Sequence, residues 1–284
     1  MGCQVSISGK IYEAIDRAKA LGCNCMQIFT RNPRQIRRKN LSKLDIKIFK
    51  ERVQKENINP IVAHIPYTLN LATSKNRFHK ITIKEFIQDL IEIDKLGIQY
   101  LVTHMGSYKG TTEADGLFRV IEALRKILEA TKDSKTMILL ENTSGSGNWL
   151  GYNFVHQHIV LENLNWINRV GICLDTAHAW SAGYRIDDLE GLNTLIEEID
   201  KKIGLDRLKI VHLNDTKEKL NSRRDRHFHI GEGLIGEKGF YNILNHQKLK
   251  NLPFILETPK KSEEDDIRNL ETVRRLYNGV FKSN

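Results

Sequence analysis

The chain has 284 residues, 40% of them hydrophobic, and its net charge of +9 favours a polyanionic partner. This composition is typical of a folded globular protein, and no apolar stretch is long enough to cross a membrane. The N-terminus lacks the segments of a secretory signal, and the four cysteines show no disulfide or zinc-ribbon spacing, so we expect an intracellular protein.

Short apolar runs alternate along the chain with amphipathic stretches. In chain order, the runs are CQVSIS, NCMQIFT, PIVAH, YLVTH, MILLE, GICLD, KIVHL and PFILE. Their content of Val, Ile and Leu is typical of buried parallel strands. Between the runs, apolar residues recur at steps of three and four. This periodicity predicts helices at Ile11–Leu21, Leu44–Lys55, Phe86–Leu96, Leu117–Ala130 and Ile267–Tyr277.

Eight strand-like runs, each followed by a helical stretch, predict an α/β fold of the (β/α)8 TIM-barrel type. We expect residues 1–284 to form this barrel as a single domain. A doubly wound open sheet is the main alternative. It is disfavoured because no glycine-rich phosphate-binding turn follows the first run.

Acidic and imidazole side chains stand at the ends of six consecutive runs. They are His64, His104, Glu141, Asp175, His212 and Glu257, spaced 34–45 residues apart. The C-terminal strand ends of a barrel converge on one face, where active sites lie. No Lys or Arg stands at these ends to neutralise the carboxylates in a low-dielectric cavity, so we expect at least two metal ions. The imidazole and carboxylate mixture, without thiolates, favours zinc or manganese over calcium.

A second cluster follows the seventh run, in the segment RRDRHFHIGEG (223–233). Asp225 and His227 are two positions apart, so in an extended chain both side chains point to one side. His229 continues this alternation and is a competing candidate ligand. Alone, the segment is compatible with a solvated basic loop. Beside a metal-rich barrel face it predicts a further metal site, to which His178 could contribute.

Together these motifs resemble those of the endonuclease IV family of apurinic/apyrimidinic endonucleases, which are DNA-repair enzymes on a (β/α)8 barrel. The matching segments span nearly the whole chain: HIPYTLNLA (64–72), ENTSGSG (141–147), LDTAHAWSAGYR (174–185), HLNDTK (212–217), DRHFHIGEG (225–233) and ETP (257–259). DRHxxxGEG and DTxH…SAGY are specific signals. The resemblance implies a metal-dependent hydrolase whose partner is double-stranded DNA containing abasic sites.

The resemblance also implies three zinc ions per chain. His64 and His104 would bind the first, Glu141 would bridge it to the second, Asp175, His212 and Glu257 would complete the second, and His178, Asp225 and His227 would hold the third. His229 is not a ligand in the family pattern. The donor set is also compatible with manganese at one or more of these sites.

The family reaction implied for this chain is hydrolysis of the phosphodiester 5′ to an abasic site, which leaves a 3′-hydroxyl and a 5′-deoxyribose phosphate. Trimming of blocked 3′ ends would use the same chemistry. Glu141 and Glu257 would organise the nucleophile, while Arg34 and Tyr67 match residues that enter the duplex when the abasic nucleotide flips out. Gln4 stands where family members commonly have histidine, so the DNA surface is expected to differ there. We expect a monomer.

Two other classes of function remain open. A metal-dependent sugar isomerase or epimerase on a related barrel would also carry His, Asp and Glu at its strand ends. It would normally use one or two metals and would not need the third ligand set, nor Arg34 and Tyr67. A catalytically silent DNA-binding barrel would not need an intact ligand set.

Overall fold

The computed structural model describes residues 1–33 and 41–281, in which eight parallel strands form one sheet. The strands are β1 Gly2–Cys3, β2 Met26–Phe29, β3 Ile61–His64, β4 Tyr100–His104, β5 Met137–Glu141, β6 Val170–Asp175, β7 Leu208–His212 and β8 Phe254–Leu256. Consecutive strands from β2 to β8 pair with each other, and β1 pairs with β8. A parallel bridge between Gln4 and Gln27 joins β1 to β2. The predicted barrel is confirmed, and the open-sheet alternative is wrong.

Helices surround the barrel and connect its strands. They are α1 Glu13–Ala20, α2 Lys43–Glu56, α3 Asn76–Leu96, α4 Glu113–Ala130, α5 Phe154–Asn163, α6 Thr176–Ala182, α7 Leu189–Lys202, α8 Gly236–Asn245 and α9 Glu263–Tyr277. The five predicted helices correspond to α1 to α4 and α9. Helix α3 begins well before the predicted Phe86, because His79, Thr82 and Ile83 are already buried despite the basic residues around them. No helix in the two described ranges is long and apolar enough to cross a membrane.

Between the barrel and its helices lies the main apolar core. Phe49, Phe86, Phe154 and Phe240 are fully buried there, on α2, α3, α5 and α8 respectively. Burying one such side chain contributes about 1.5–3 kcal/mol relative to leaving it in water. The helices are therefore held against the barrel by apolar contacts, which leaves the strand ends free to carry polar groups.

The barrel interior contains an apolar layer with a polar layer directly above it. The apolar layer comprises Cys25, Val62, Val102, Leu139, Cys173, Ile210 and Ile255. Alternate residues of a strand point to the same face, so the residue two positions further on also points inward, nearer the C-terminal end. That step defines the polar layer: Gln27, His64, His104, Glu141, Asp175, His212 and Glu257. Six of these seven are the residues predicted from the strand ends.

The loop between β7 and α8 is organised by Asp215, a fully buried carboxylate. Its Oδ1 accepts hydrogen bonds from the amides of Thr216 at 2.7 Å and Ile235 at 3.1 Å. Its Oδ2 accepts from the amides of Gly231 at 3.0 Å and Gly233 at 2.9 Å. Glycine is needed at position 233, since a Cβ there would lie 2.3 Å from Asp215 Oδ1.

Asp215 also anchors the part of this loop that carries Asp225 and His227. The Phe228 amide donates to the Asp215 carbonyl at 2.6 Å, and the two residues form an antiparallel bridge. Because His227 directly precedes Phe228, its backbone position depends on this bridge.

Replacing Asp215 with Asn is expected to lower the free energy of unfolding by about 2–4 kcal/mol, because two buried amides lose their acceptor. Chemical denaturation measures the change. Asp206→Asn, on the exposed turn between α7 and β7, is the control and should stay within about 0.5 kcal/mol of the original chain. Equal stability of Asp215→Asn and the original chain would show that the carboxylate does not hold the loop.

Candidate metal centre

Glu141, the last residue of β5, lies fully buried at the centre of the polar layer. Its Oε2 lies 3.1 Å from His64 Nε2 and 3.4 Å from His104 Nε2. Its Oε1 lies 2.9 Å from His212 Nδ1 and 3.5 Å from His178 Nδ1. One carboxylate therefore faces four imidazoles, and its two oxygens point to different parts of the site.

Three groups of metal-ligating side chains are present in residues 1–33 and 41–281. Within each group the donor atoms lie within 4.8 Å of one another: His64, His104 and Glu141; Glu141, Asp175, His212 and Glu257; and Asp175, His178 and His227. The first and second groups share Glu141, the residue that the family resemblance implies as a bridge. The second and third share Asp175, which the sequence did not indicate.

Asp175 joins the second and third groups because it also caps a helix. It is the N-cap of α6, and its Oδ1 accepts a hydrogen bond from the His178 amide at 2.7 Å. A capping residue bonds to the amide two or three positions later, which accounts for the spacing in DTxH. The other oxygen, Oδ2, lies 3.6 Å from His227 Nε2.

Asp225 and His227 reach from the β7–α8 loop to His178 on α6. Asp225 Oδ1 lies 3.1 Å from His178 Nε2 and 3.7 Å from His227 Nε2. The structure thus brings together the three residues expected to hold a third ion, although their role as ligands remains a prediction. His229 belongs to none of the three groups among the described residues, and its Nδ1 lies 3.0 Å from the side-chain amide of Asn269 on α9.

Three of the histidines turn Nδ1 towards a backbone carbonyl. The pairs are His64 with Ile65 at 2.7 Å, His178 with Asn142 at 3.0 Å, and His227 with Glu257 at 3.1 Å. A carbonyl oxygen only accepts hydrogen bonds, so Nδ1 carries a proton, and in the neutral ring Nε2 keeps its lone pair. Metal-binding histidines are typically oriented in this way, with the second nitrogen fixed by a hydrogen bond.

The facing imidazoles of His178 and His227 favour a cation between them. Their Nε2 atoms lie 3.4 Å apart, so two lone pairs face each other when both rings are neutral with their proton on Nδ1. Over the described part of the chain, no Lys or Arg pairs with Glu141, Asp175 or Glu257. The donors that remain, imidazole nitrogen and carboxylate oxygen, fit divalent zinc or manganese.

Protons and metal ions compete for the nitrogens of this site. Burial by itself lowers the pKa of His178, but Asp175 and Asp225 beside it raise that pKa well above its usual value. Burial would raise the pKa of Glu141, yet His104 and His212 hold it well below its usual range. Ionised carboxylates and protonated rings therefore stabilise each other, and an incoming ion must displace ring protons.

Cys173 lies just below Asp175 but is not part of the ligand set. Burial raises the pKa of its thiol to about 12, so it is neutral near physiological pH. A neutral thiol in the apolar layer is a packing residue rather than a thiolate ligand.

Two buried asparagines position Asp175 and Glu257, and they were not singled out from the sequence. Asn214 donates to Asp175 Oδ2 at 2.7 Å and accepts from the Glu257 amide at 2.9 Å. Asn142 accepts from the Asp175 amide at 2.7 Å and donates to its carbonyl at 3.0 Å. Each stands within two positions after a strand-end residue, and that position was the available signal.

Of the two predicted DNA contacts, the structure describes Tyr67 but not Arg34. Tyr67 lies at the mouth of the barrel with 61% of its surface exposed. Its ring meets Phe29 edge-on at a centroid distance of 5.4 Å and lies 6.2 Å from the ring of His64. It therefore adjoins the polar layer while most of its surface remains exposed. Arg34 lies outside the described residues.

Comparison with known proteins places the chain among close relatives. The family described as xylose isomerase-like TIM barrel matches residues 15–276. A probable endonuclease 4 of Halothermothrix orenii is 42% identical over 276 residues, which cover 97% of this chain and 99% of that protein. A probable endonuclease 4 of Methanoculleus marisnigri is 41% identical over 276 residues, covering 97% and 98% respectively.

Solved structures of similar fold include an endonuclease IV. Endonuclease IV from Thermus thermophilus superposes with a TM-score of 0.87 at 31% identity, over 98% of this chain and 99% of that one. A D-tagatose 3-epimerase-like protein superposes with a TM-score of 0.72 at 22% identity, over 99% and 98%, which shows a shared fold alone. With full-length relatives at this level of identity, the chain belongs to the endonuclease IV family of apurinic/apyrimidinic endonucleases, within the xylose isomerase-like TIM barrels.

Proposed function

We propose that this chain hydrolyses the phosphodiester 5′ to an abasic site in duplex DNA, leaving a 3′-hydroxyl and a 5′-deoxyribose phosphate. Membership of the family makes it a metal-dependent DNA-hydrolysing endonuclease. The observation that carries the finer assignment is the presence of three ligand groups joined through Glu141 and Asp175. Adjacent metals that share a carboxylate suit in-line displacement at a phosphodiester.

The proposed ligands are those that the family pattern implied. His64, His104 and Glu141 would hold one zinc ion, Glu141, Asp175, His212 and Glu257 the second, and His178, Asp225 and His227 the third. Divalent ions held there would lower the pKa of water and polarise the phosphate oxygens. All nine residues come from one barrel, so one copy of the chain, acting as a single-domain monomer, would suffice.

Glu141 and Glu257 are the proposed catalytic carboxylates. Glu141 Oε1 lies 2.9 Å and Glu257 Oε2 lies 3.3 Å from the same nitrogen, His212 Nδ1. Held side by side in this way, the two carboxylates would organise the attacking water as ligands of the ions that activate it. Trimming of blocked 3′ ends would use the same groups, because it is also hydrolysis of a phosphate ester at the mouth of the barrel.

The mouth of the barrel also offers groups for the DNA backbone. Arg224 and Arg226 flank Asp225 and have 65% and 73% of their side chains exposed. Both lie within 3.5 Å of Glu218, so phosphate contacts would compete with these weak surface pairs. Tyr67 offers an exposed ring for stacking beside a flipped-out nucleotide.

The alternative functions have less support. A sugar isomerase or epimerase would share the barrel, but the full-length relatives at 42% and 41% identity are named endonucleases. The third ligand group, with Asp225 beside it, exceeds what one or two metals need. The complete ligand set argues against a catalytically silent DNA-binding barrel.

The zinc-loaded protein is expected to contain close to three ions per chain by elemental analysis, and a value near one would favour the isomerase.

Ion binding should release protons at neutral pH, because His178, whose pKa is raised, is protonated there. Affinity should therefore fall as the pH decreases. Calorimetry in buffers of different ionisation enthalpy measures the release, and zero release at pH 7 would contradict the expected protonation.

Glu141→Gln is expected to reduce incision of a duplex with one abasic analogue by about 10³-fold or more, because one ligand shared by two ions loses its charge. Circular dichroism should show an intact fold. Glu122→Gln, which removes a surface pair with Lys126 on α4, is the matched control and should cut normally. An undamaged duplex and a sample after prolonged chelation are the negative controls of the assay. Undiminished cutting by Glu141→Gln would show that this residue takes no part in the reaction.

Arg34→Ala is expected to weaken binding to the abasic duplex and to reduce the slope of log affinity against log salt by about 1. Lys250→Ala, an exposed charge near Pro253 and the N-terminal end of β8, is the control and should change neither. An unchanged salt slope for Arg34→Ala would assign that arginine to a solvated loop.

Tyr67→Ala should weaken binding to the abasic duplex by about 1–3 kcal/mol, while Tyr67→Phe keeps the ring and should bind normally.

A further inference from the structure

Gln27 belongs to the polar layer but is neither an acid nor an imidazole. It lies within β2, two positions after Cys25 of the apolar layer, and is fully buried. Its side-chain amide contacts two of the proposed ligands. Oε1 lies 2.8 Å from His212 Nε2, and Nε2 donates to Glu257 Oε1 at 2.5 Å.

The contacts of Gln27 determine which way its amide points. A carboxylate oxygen of Glu257 only accepts, so the NH₂ group must face Glu257 and the carbonyl oxygen must face His212. His212 Nε2 therefore carries the proton that Gln27 accepts. When the ring carries this one proton, Nδ1 keeps its lone pair on the side that faces Glu141 Oε1 at 2.9 Å and Glu257 Oε2 at 3.3 Å.

His212 thus differs from the histidines whose orientation depends on the backbone. His64, His178 and His227 protonate Nδ1 against a main-chain carbonyl and present Nε2. His212 instead carries this proton on Nε2 and presents Nδ1, and its hydrogen-bond partner is the Gln27 side chain. Its tautomer therefore depends on one residue that mutation can change.

We propose that Gln27 is a positioning residue for the ion held by Glu141, Asp175, His212 and Glu257. It selects the His212 tautomer that presents Nδ1, and it bonds Glu257 Oε1, which would leave Oε2 available as a ligand. This inference rests on the proposed metal site and goes beyond its ligand set. Hydrogen-bond partners of this kind typically change metal affinity by about 10–100-fold when they are removed.

Gln4 supports the orientation of Gln27 from the other side. Its Oε1 accepts a hydrogen bond from Gln27 Nε2 at 2.9 Å. The two residues also form the backbone bridge that joins β1 to β2. The seam that closes the barrel therefore also positions the proposed ligands. The sequence led us to expect Gln4 to alter the DNA surface, and the structure engages its side chain with Gln27.

The test compares Gln27→Met with Gln157→Met by chelator competition on the zinc-loaded protein. Gln27→Met removes the hydrogen bonds to His212 and Glu257, and the one to Gln4, at similar volume. One of the bound ions is expected to bind about 10–100-fold more weakly while the others are unchanged. Gln157 is equally buried, on α5, and donates to the Gly151 carbonyl at 3.3 Å outside the polar layer. Gln157→Met should retain the zinc affinity of the original chain. A Gln27→Met protein that retains it too would overturn the proposal.

A second measurement needs no variant and so does not depend on how Gln27→Met folds. Long-range ¹H–¹⁵N NMR of the zinc-loaded chain should place the proton of His212 on Nε2 and the protons of His64, His178 and His227 on Nδ1. A proton on His212 Nδ1 would overturn the proposal. Three bound ions with full incision activity, but unchanged affinity in Gln27→Met, would reject this inference alone. A chain that binds no ion at the His212 group would reject the proposed function as well.

Discussion

The candidate metal centre depends on a buried carboxylate surrounded by imidazoles. Glu141 is inaccessible to water and lies within 3.5 Å of nitrogens from His64, His104, His178 and His212. A buried charge of this kind is costly unless it is paired and hydrogen-bonded. The barrel meets this requirement with histidines from several strands and one helix, and the same donors form the candidate metal centre. Removing Glu141 would therefore deprive these four imidazoles of the carboxylate that they share.

The alternation of side chains along a strand explains how a stable core and a reactive site share one barrel. Inward positions alternate in height, so apolar residues such as Val62 and Leu139 fill the lower layer. The next inward positions, two residues later, are His64 and Glu141. The apolar layer excludes water from below, which strengthens the electrostatic interactions above it. The site thus gains its chemistry from the C-terminal strand ends and its rigidity from the layer underneath.

Much of the site could be predicted because strand ends recur at βα-unit spacing, so the sequence by itself predicts His104 and His212 on one face of the barrel. The roles of Asp215 and Gln27 could not be predicted. Asp215 looks like an ordinary loop acid until its four amide partners are seen together. Gln27 lies inside an apolar run, and its partners come from strands that are distant in sequence. Asp175 was assigned to one ion, and only the structure brings it to His227 as well.

The sequence by itself determined the barrel, the strand-end chemistry and the family, because hydrophobic periodicity and short motifs are local properties. It also indicated that Asp225 and His227 share a side, since two-residue alternation is local too. Only the tertiary structure decided which nitrogen of each histidine faces the carboxylates and which residue orients His212. Those features depend on hydrogen bonds between strands far apart in the chain, and no pattern of neighbouring residues encodes the angle or distance at which such strands meet.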